Sequence, residues 1–156
     1  MDHPLIDADG LDAYGHDQDH EPDVGVDGID GVEVVAELAH RFRSGDRAGA
    51  LALFHPRIRI QQPASLPHGG WHEGHDGVTA MGATFAQHWD RTIDEPRIFG
   101  RGHSVVQVTA QTWTARATGD AATVDVVEIF VVAAGVVTEI RVFPQDTHAL
   151  LATLPG

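Results

Sequence analysis

The sequence predicts an α+β domain in which a curved antiparallel sheet forms a cone-shaped barrel around three N-terminal helices. Apolar residues recur at helical spacing in the first half of the chain, whereas the second half alternates as long strands separated by glycine turns. The 156 residues suffice for one domain with its own core and are too few for two typical domains. Because a bent sheet wrapped on helices leaves space at its open end, we expect a pocket there.

The first helix is predicted from Gly31 onward, because apolar residues follow at helical spacing: Val32, Val35, Leu38, Ala39 and Phe42. Ser44-Gly45-Asp46 ends this helix and caps a short second helix, predicted over Arg47–Phe54. His55-Pro56 stops the second helix, since the residue before a proline avoids helical backbone angles.

The first strand is predicted over RIRIQQP, which alternates and ends at Pro63. The loop PASLPHGGWHEGHDG then leads to a third helix, marked by Val78, Met81, Phe85 and Trp89.

The remaining chain is predicted to form strands: RIFGRG, SVVQVTAQTWTARAT, ATVDVVEIFVV and VVTEIRVF. Turn signals at Gly119-Asp120 and Ala134-Gly135 make the last three an antiparallel meander. Residues 148–154 are predicted as a terminal helix.

The net charge of −13 is concentrated at the start of the chain. Residues 1–30 hold ten Asp or Glu and neither Lys nor Arg, which leaves −3 for the remainder. Low hydrophobicity with scattered acids, Gly and Pro is typical of a disordered segment. We therefore predict an acidic disordered tail over 1–28 and a barrel domain over 29–156.

The chain offers no basic stripe that would replace counterions, so we expect no nucleic-acid partner. Its N-terminus lacks the basic and apolar regions of a signal peptide. No apolar run approaches the ~20 residues that span a bilayer. We expect a cytoplasmic protein without a membrane partner.

Missing residue types narrow the chemistry. The chain has no Cys and no Lys, which excludes thiol nucleophiles and Schiff bases, and its one tyrosine, Tyr14, lies in the predicted tail. Proton transfer is left to Asp, Glu and the eleven His. The spacing of His68, His72 and His75 differs from that of helical zinc sites, so we predict neither a metal nor a cofactor. One of these histidines, most simply His68, can reach over the pocket mouth.

The stretch VVEIFVV, residues 126–132, places Glu128 among six apolar residues. Alternation puts Val126, Glu128 and Phe130 on one face of the strand and the residues between them on the other. Glu128 then lies either in the pocket, where burial alters its acidity, or on the outer face, paired with an Arg of the next strand. The opposite face carries Val127, Ile129 and Val131, and this apolar row predicts a homodimer.

Four segments together resemble the nuclear transport factor 2-like superfamily, and within it the SnoaL-like polyketide cyclases and ketosteroid isomerases. The segments are SGDRAGALALFHPRIRIQQP, PHGGWHEGHDGV, VDVVEIFVVAAGVVTEIRVF and QDTHALL, and the resemblance covers roughly Val32–Leu154. It implies the cone-shaped fold and a small-molecule pocket.

The resemblance also implies residue roles. Glu128 takes the place of the pocket carboxylic acid, whereas Gln62 stands where the isomerases carry a general-base Asp and Leu38 where they carry a tyrosine. Steroid isomerisation by their mechanism is therefore not expected, and the cyclases, with one acid/base carboxylate in an apolar pocket, fit better. Epoxide-opening relatives pair carboxylates with Arg, but Arg141 is predicted to face outside.

The functional prediction is a cyclase or isomerase of secondary metabolism that transfers protons through Glu128. The alternatives are a non-catalytic ligand-binding or dimerisation module and an epoxide-opening hydrolase or cyclase. Eight further residues are predicted to contact substrate: Gln62, His68, His88, Trp89, Trp113, Val126, Phe130 and Val142. For His88 and Trp89 a helix-end role and a core role remain open.

Overall fold

The computed structural model describes residues 30–156. The predicted tail, residues 1–28, lies outside the described residues. The described chain contains four helices, α1 (Gly31–Arg43), α2 (Arg47–Ala52), α3 (Gly74–His88) and α4 (Thr147–Leu151). Its seven strands are β1 (Phe54–Gln62), β2 (Gly70–Glu73), β3 (Trp89–Ile93), β4 (Arg97–Arg101), β5 (Ser104–Ala115), β6 (Ala121–Ala133) and β7 (Val136–Pro144).

All seven strands join one curled sheet in the order β2-β1-β7-β6-β5-β3, and β4 also pairs with β5. The α+β prediction with helices against a curved sheet is confirmed. Neighbouring strands are antiparallel except β1 and β7, which run parallel, with Ile60 opposite Ile140. The first strand thus closes against the last one, an arrangement that the antiparallel prediction did not contain.

The core lies between the concave face of the sheet and the helices. Helix α1 begins at the Asp30 cap, whose side chain accepts the Val32 N–H, and buries Val34, Val35 and Leu38. These residues join inward-facing residues of β1, β5, β6 and β7 in one cluster. A second cluster at the other end of the sheet contains Trp89, Trp113 and Leu150.

The structure corrects three predicted helix boundaries, two of them because of strand pairing. Helix α2 ends at Ala52 rather than at Phe54, because Phe54 is buried and pairs with Val137 of β7. Helix α3 ends at His88, and Trp89 instead opens β3 opposite Ala115. The terminal helix covers Thr147–Leu151 rather than residues 148–154.

Strand β2 was also missed by the sequence prediction. Four residues of the predicted loop, Gly70–Glu73, pair with the end of β1, and Gly70 takes a φ of +91° that favours glycine. Within residues 30–156, no helix is long and apolar enough to cross a membrane.

Candidate functional site

The open end of the curled sheet contains a cavity of about 160 Å³. Helices α1 and α3 close one side, and the inner faces of β1, β5, β6 and β7 form the other. Apolar side chains make most of the wall, among them Leu38, Phe54, Ile60, Phe130 and Ile140. The cavity is large enough for about one aromatic ring, with the remainder of a ligand extending through the mouth.

Glu128 lines this cavity from the middle of β6. Its neighbours in the sheet are Gln107 on β5 and Val142 on β7, which both line the cavity as well. No ion pair joins Glu128 to an Arg in the described part of the chain. The sequence left open whether Glu128 lies in the pocket or on the outer face of the sheet, and the structure places it in the pocket.

The environment of Glu128 raises the pKa of its carboxyl group above the ordinary value of 4.5. Burial is the main cause, because the charged form loses its hydration. The positive charge of Arg91 and a hydrogen bond with Gln107 act in the opposite direction without cancelling the effect of burial. A carboxyl group held in this way can exist in both protonation states closer to neutral pH than an exposed one.

Arg91 is a cavity-lining residue that the sequence analysis missed. It lies on β3 opposite Trp113, lines the cavity, and stacks its guanidinium over the Phe85 ring at 4.8 Å. Arg91 is exposed to solvent at one side of the cavity and carries a positive charge at neutral pH. The sequence analysis placed Trp89 at the end of a helix and assigned the rest of β3 to no element, so it offered no alternation that would have turned Arg91 inward.

The inner face of β5 provides a polar wall. Gln111 Nε2 donates to Thr109 Oγ1 at 2.8 Å, and Trp113 Nε1 donates to Gln111 Oε1 at 3.0 Å. Gln107 Oε1 is buried and has no partner among the described residues. Alternation of β5 would have indicated this row, since it places Gln107, Thr109, Gln111 and Trp113 on one face.

His68 also lines the cavity and is 4% exposed. Burial lowers the pKa of its imidazole to about 4, with further lowering by Arg91, His72 and His88. His68 is therefore neutral at neutral pH, and its buried Nδ1 has no partner among the described residues. It packs edge-on against Phe85, at 5.3 Å between ring centroids.

The other two loop histidines bind backbone carbonyls. His72 Nε2 lies 2.8 Å from the His68 carbonyl oxygen, and His75 Nε2 lies 3.0 Å from that of Phe54. No group of three or more potential metal ligands occurs within residues 30–156.

The structure separates the eight predicted substrate contacts into two groups. Six line the cavity: Gln62, His68, Trp113, Val126, Phe130 and Val142. Trp89 and His88 do not. Trp89 packs behind Trp113 at 5.2 Å and donates its indole N–H to Thr153 Oγ1, because the chain leaves the helix at this point to form β3.

The two positions at which the sequence departs from the isomerases also lie in the cavity. Gln62 and Leu38 both line it, where those enzymes carry a base and a tyrosine. Arg141 is exposed and donates to Gln61 Oε1 at 3.1 Å on the outside of the sheet, as predicted.

A family model described as the SnoaL-like domain matches residues 35–140, well over half of the chain. The chain belongs to the SnoaL-like domain family. The resemblance drawn from the sequence is thereby confirmed. No curated protein matches the chain in sequence.

Solved structures share the fold of this SnoaL-like chain. An NTF2-like protein from Burkholderia xenovorans LB400 is 26% identical, with 80% of this chain and 95% of that one covered at a TM-score of 0.72. TerC, co-crystallised with polyporic acid, is 23% identical. The match covers 79% of this chain and 96% of TerC, with a TM-score of 0.71. A provisionally assigned polyketide cyclase from Pseudomonas putida KT2440 is 12% identical. The match covers 82% of this chain and 100% of that one, with a TM-score of 0.70.

Proposed function

We propose that this SnoaL-like protein is a cytoplasmic enzyme of secondary metabolism, such as antibiotic biosynthesis, that cyclises or isomerises an apolar, oxygenated, polyketide-type substrate. One observation carries the proposal: Glu128 is the only carboxylate among the cavity-lining residues of the described chain, and its pKa is raised by burial. The co-crystallisation of TerC with polyporic acid and the cyclase assignment of another structural relative support a small organic substrate.

The proposed reaction begins when ionised Glu128 removes a proton from a carbon next to a substrate carbonyl group. The electron pair moves to the carbonyl oxygen, where the Arg91 guanidinium and the Gln107 amide stabilise the enolate. The enolate carbon then attacks a second carbonyl of the same substrate and closes a ring. Glu128 returns its proton to the new alkoxide, so that no external reactant is needed.

The test uses 1-tetralone, an apolar aromatic ketone with exchangeable hydrogens next to its carbonyl group. Proton NMR in D₂O follows their replacement by deuterium with the wild type and with Glu128→Gln. We expect the wild type to accelerate exchange and the variant to lose about 10²–10⁴-fold of that acceleration, with ligand affinity little changed. Asp125→Asn, on the outward face of the same strand, is the matched control and should behave as the wild type.

Equal acceleration by Glu128→Gln would overturn the assignment of Glu128. Binding of the ketone by the wild type without any acceleration would favour the non-catalytic ligand-binding module. The neutral polar wall of Gln62, Gln107, Thr109 and Gln111 suits that alternative, because it can bind ligand oxygens without proton transfer.

Epoxide opening is a second candidate because of Arg91. Relatives with this activity combine a carboxylate with an arginine. Arg91 lines the cavity together with Glu128, whereas Arg141 lies on the outside of the sheet. Incubation with styrene oxide and measurement of the diol would test it. Diol formation that requires both Glu128 and Arg91 would favour this reaction over ring closure.

A further inference from the structure

Two arginines line the mouth of the cavity. Arg43 is the last residue of α1 and Arg91 is the central residue of β3, so that they reach the same cavity from different elements. Both residues are exposed. They are the only cationic side chains among the lining residues of the described chain at neutral pH, because His68 is neutral there.

Neither arginine has a carboxylate partner within residues 30–156. The described ion pairs involve other arginines: Arg41 with Glu37, Arg59 with Glu73 and Glu139, and Arg116 with Asp90. Arg91 and Glu128 influence each other electrostatically but do not form an ion pair. Among the described residues, both guanidinium groups are therefore available to bind a ligand oxygen.

The guanidinium of Arg91 is held by an aromatic face. It stacks on the Phe85 ring at 4.8 Å, and such stacking leaves the N–H groups in the guanidinium plane available for hydrogen bonds. A planar, oriented fork of donors matches the two oxygens of a carboxylate or of an ionised 1,3-diketone.

The cavity has an excess of positive charge within an acidic chain. Its lining holds two arginines against one carboxyl group that burial tends to neutralise, although the chain carries a net charge of −13. Charge of one sign in a cleft with apolar walls concentrates ligands of the opposite sign.

We propose that the ligand of this cavity is a flat aromatic acid, whose ring enters the apolar interior and whose carboxylate or enolate is bound by Arg91 and Arg43 at the mouth. The inference rests on the proposed function in taking this cavity as the substrate site. It adds the substrate class, which the catalytic role of Glu128 does not determine.

The test compares 2-naphthoate with 2-naphthamide, which has nearly the same shape and no charge, by isothermal titration calorimetry on the full chain. We expect the naphthoate to bind at least about tenfold tighter, and only its affinity to fall as KCl is raised. Arg91→Gln should weaken naphthoate binding by about 10- to 100-fold, and the double variant with Arg43→Gln should bind both ligands equally.

Arg47→Gln is the matched control. Arg47 starts α2 close in sequence to Arg43 but does not line the cavity, so the same loss of charge should leave naphthoate affinity unchanged. Equal affinities for naphthoate and naphthamide in the wild type, or an equal loss in Arg47→Gln, would overturn the proposal. Adding 2-phenyl-1,3-cyclohexanedione, whose enol is ionised at neutral pH, shows whether an enolate or a carboxylate is preferred.

Glu128→Gln separates this inference from the proposed function. The variant should keep or increase its affinity for naphthoate, because a negative charge is removed, while it loses the exchange activity. Arginine-dependent binding without any exchange in the wild type would support the inference and reject the enzymatic function. Exchange without preference for the acid would support the function and reject the inference.

Discussion

At the scale of single residues, Glu128 and His68, which both line the cavity, have opposite pKa shifts with one main cause. Burial disfavours the charged form, which raises the pKa of the Glu128 carboxyl group and lowers that of the His68 imidazole. Both residues are therefore held towards their neutral forms. The consequences for stability have opposite signs and can be measured separately.

Glu128→Gln should increase stability more at pH 8 than at pH 4. The unfolded chain releases the Glu128 proton near pH 4.5, whereas the folded protein retains it to a higher pH, so the wild type loses stability as pH rises through this window. Glutamine cannot ionise and avoids the loss. Melting temperatures of both proteins across this range provide the measurement, and a constant difference between them would contradict the raised pKa.

His68→Phe should reduce the loss of stability in acid. The unfolded chain binds a proton at His68 near pH 6.5, but the folded protein resists protonation until about pH 4, so the wild type loses stability as pH falls between these values. The variant lacks this contribution. Urea midpoints at pH 7 and pH 4.5 test the prediction, with His40→Gln on the exposed face of α1 as the control.

At the scale of elements, the C-terminal segment packs against the second cluster, next to the strand that carries Arg91. Asp146 caps α4 by accepting the Ala149 N–H, and Leu150 is fully buried in the second cluster. Thr153, just after α4, accepts the hydrogen bond of the Trp89 indole at 2.8 Å. One hydroxyl group thus connects the helix to the first residue of β3, the strand that carries Arg91.

Thr153→Val should destabilise the protein by about 1–3 kcal/mol, because it leaves the buried Trp89 N–H without a partner. Valine has nearly the same volume, so the loss reports the hydrogen bonds of the hydroxyl group, which also donates to the Leu150 carbonyl oxygen at 2.7 Å, rather than packing. Denaturant unfolding measures the change. Thr123→Val, at an exposed hydroxyl on β6, is the control and should change stability by less than about 0.5 kcal/mol.

At the scale of the whole molecule, the outer face of the sheet is apolar as well as the inner one. Val127, Ile129 and Val131 are only half-buried there, and Phe99 and Phe143 are 57% and 43% exposed. The sheet register connects them, since Phe143 pairs with Val127. Arg141 and Asp125 flank this surface with opposite charges and allow a second copy to form complementary charge pairs.

We propose that a second copy of the chain covers this outer face. Light scattering at micromolar concentration should give twice the chain mass of 16.7 kDa. Ile129→Glu should reduce the mass to that of one chain, because it places a carboxylate in the centre of the apolar surface. Ala83→Glu, on the exposed side of α3, should leave the dimer intact. A wild type with the mass of one chain would contradict the proposal.

The sequence by itself determined the fold class and which residues share a strand face with Glu128. Strict alternation over VVEIFVV puts Glu128 on the same face as Val126 and Phe130, because the faces of a strand are set by local geometry alone. The long periodic segments likewise identify β5, β6 and β7. The resemblance to the isomerases added Gln62 at the end of β1, and the long strand β5 added Trp113; both line the cavity.

Only the tertiary structure decided which residues share the cavity with Glu128. Strands β2 and β3 are five residues or fewer and pair with distant segments, so their local sequence has no period that distinguishes them from a loop or a helix end. Trp89 consequently turned from a predicted cavity residue into a core residue, and Arg91 entered the cavity. The pKa values of Glu128 and His68 depend on burial by segments far apart in the chain, which no local pattern contains.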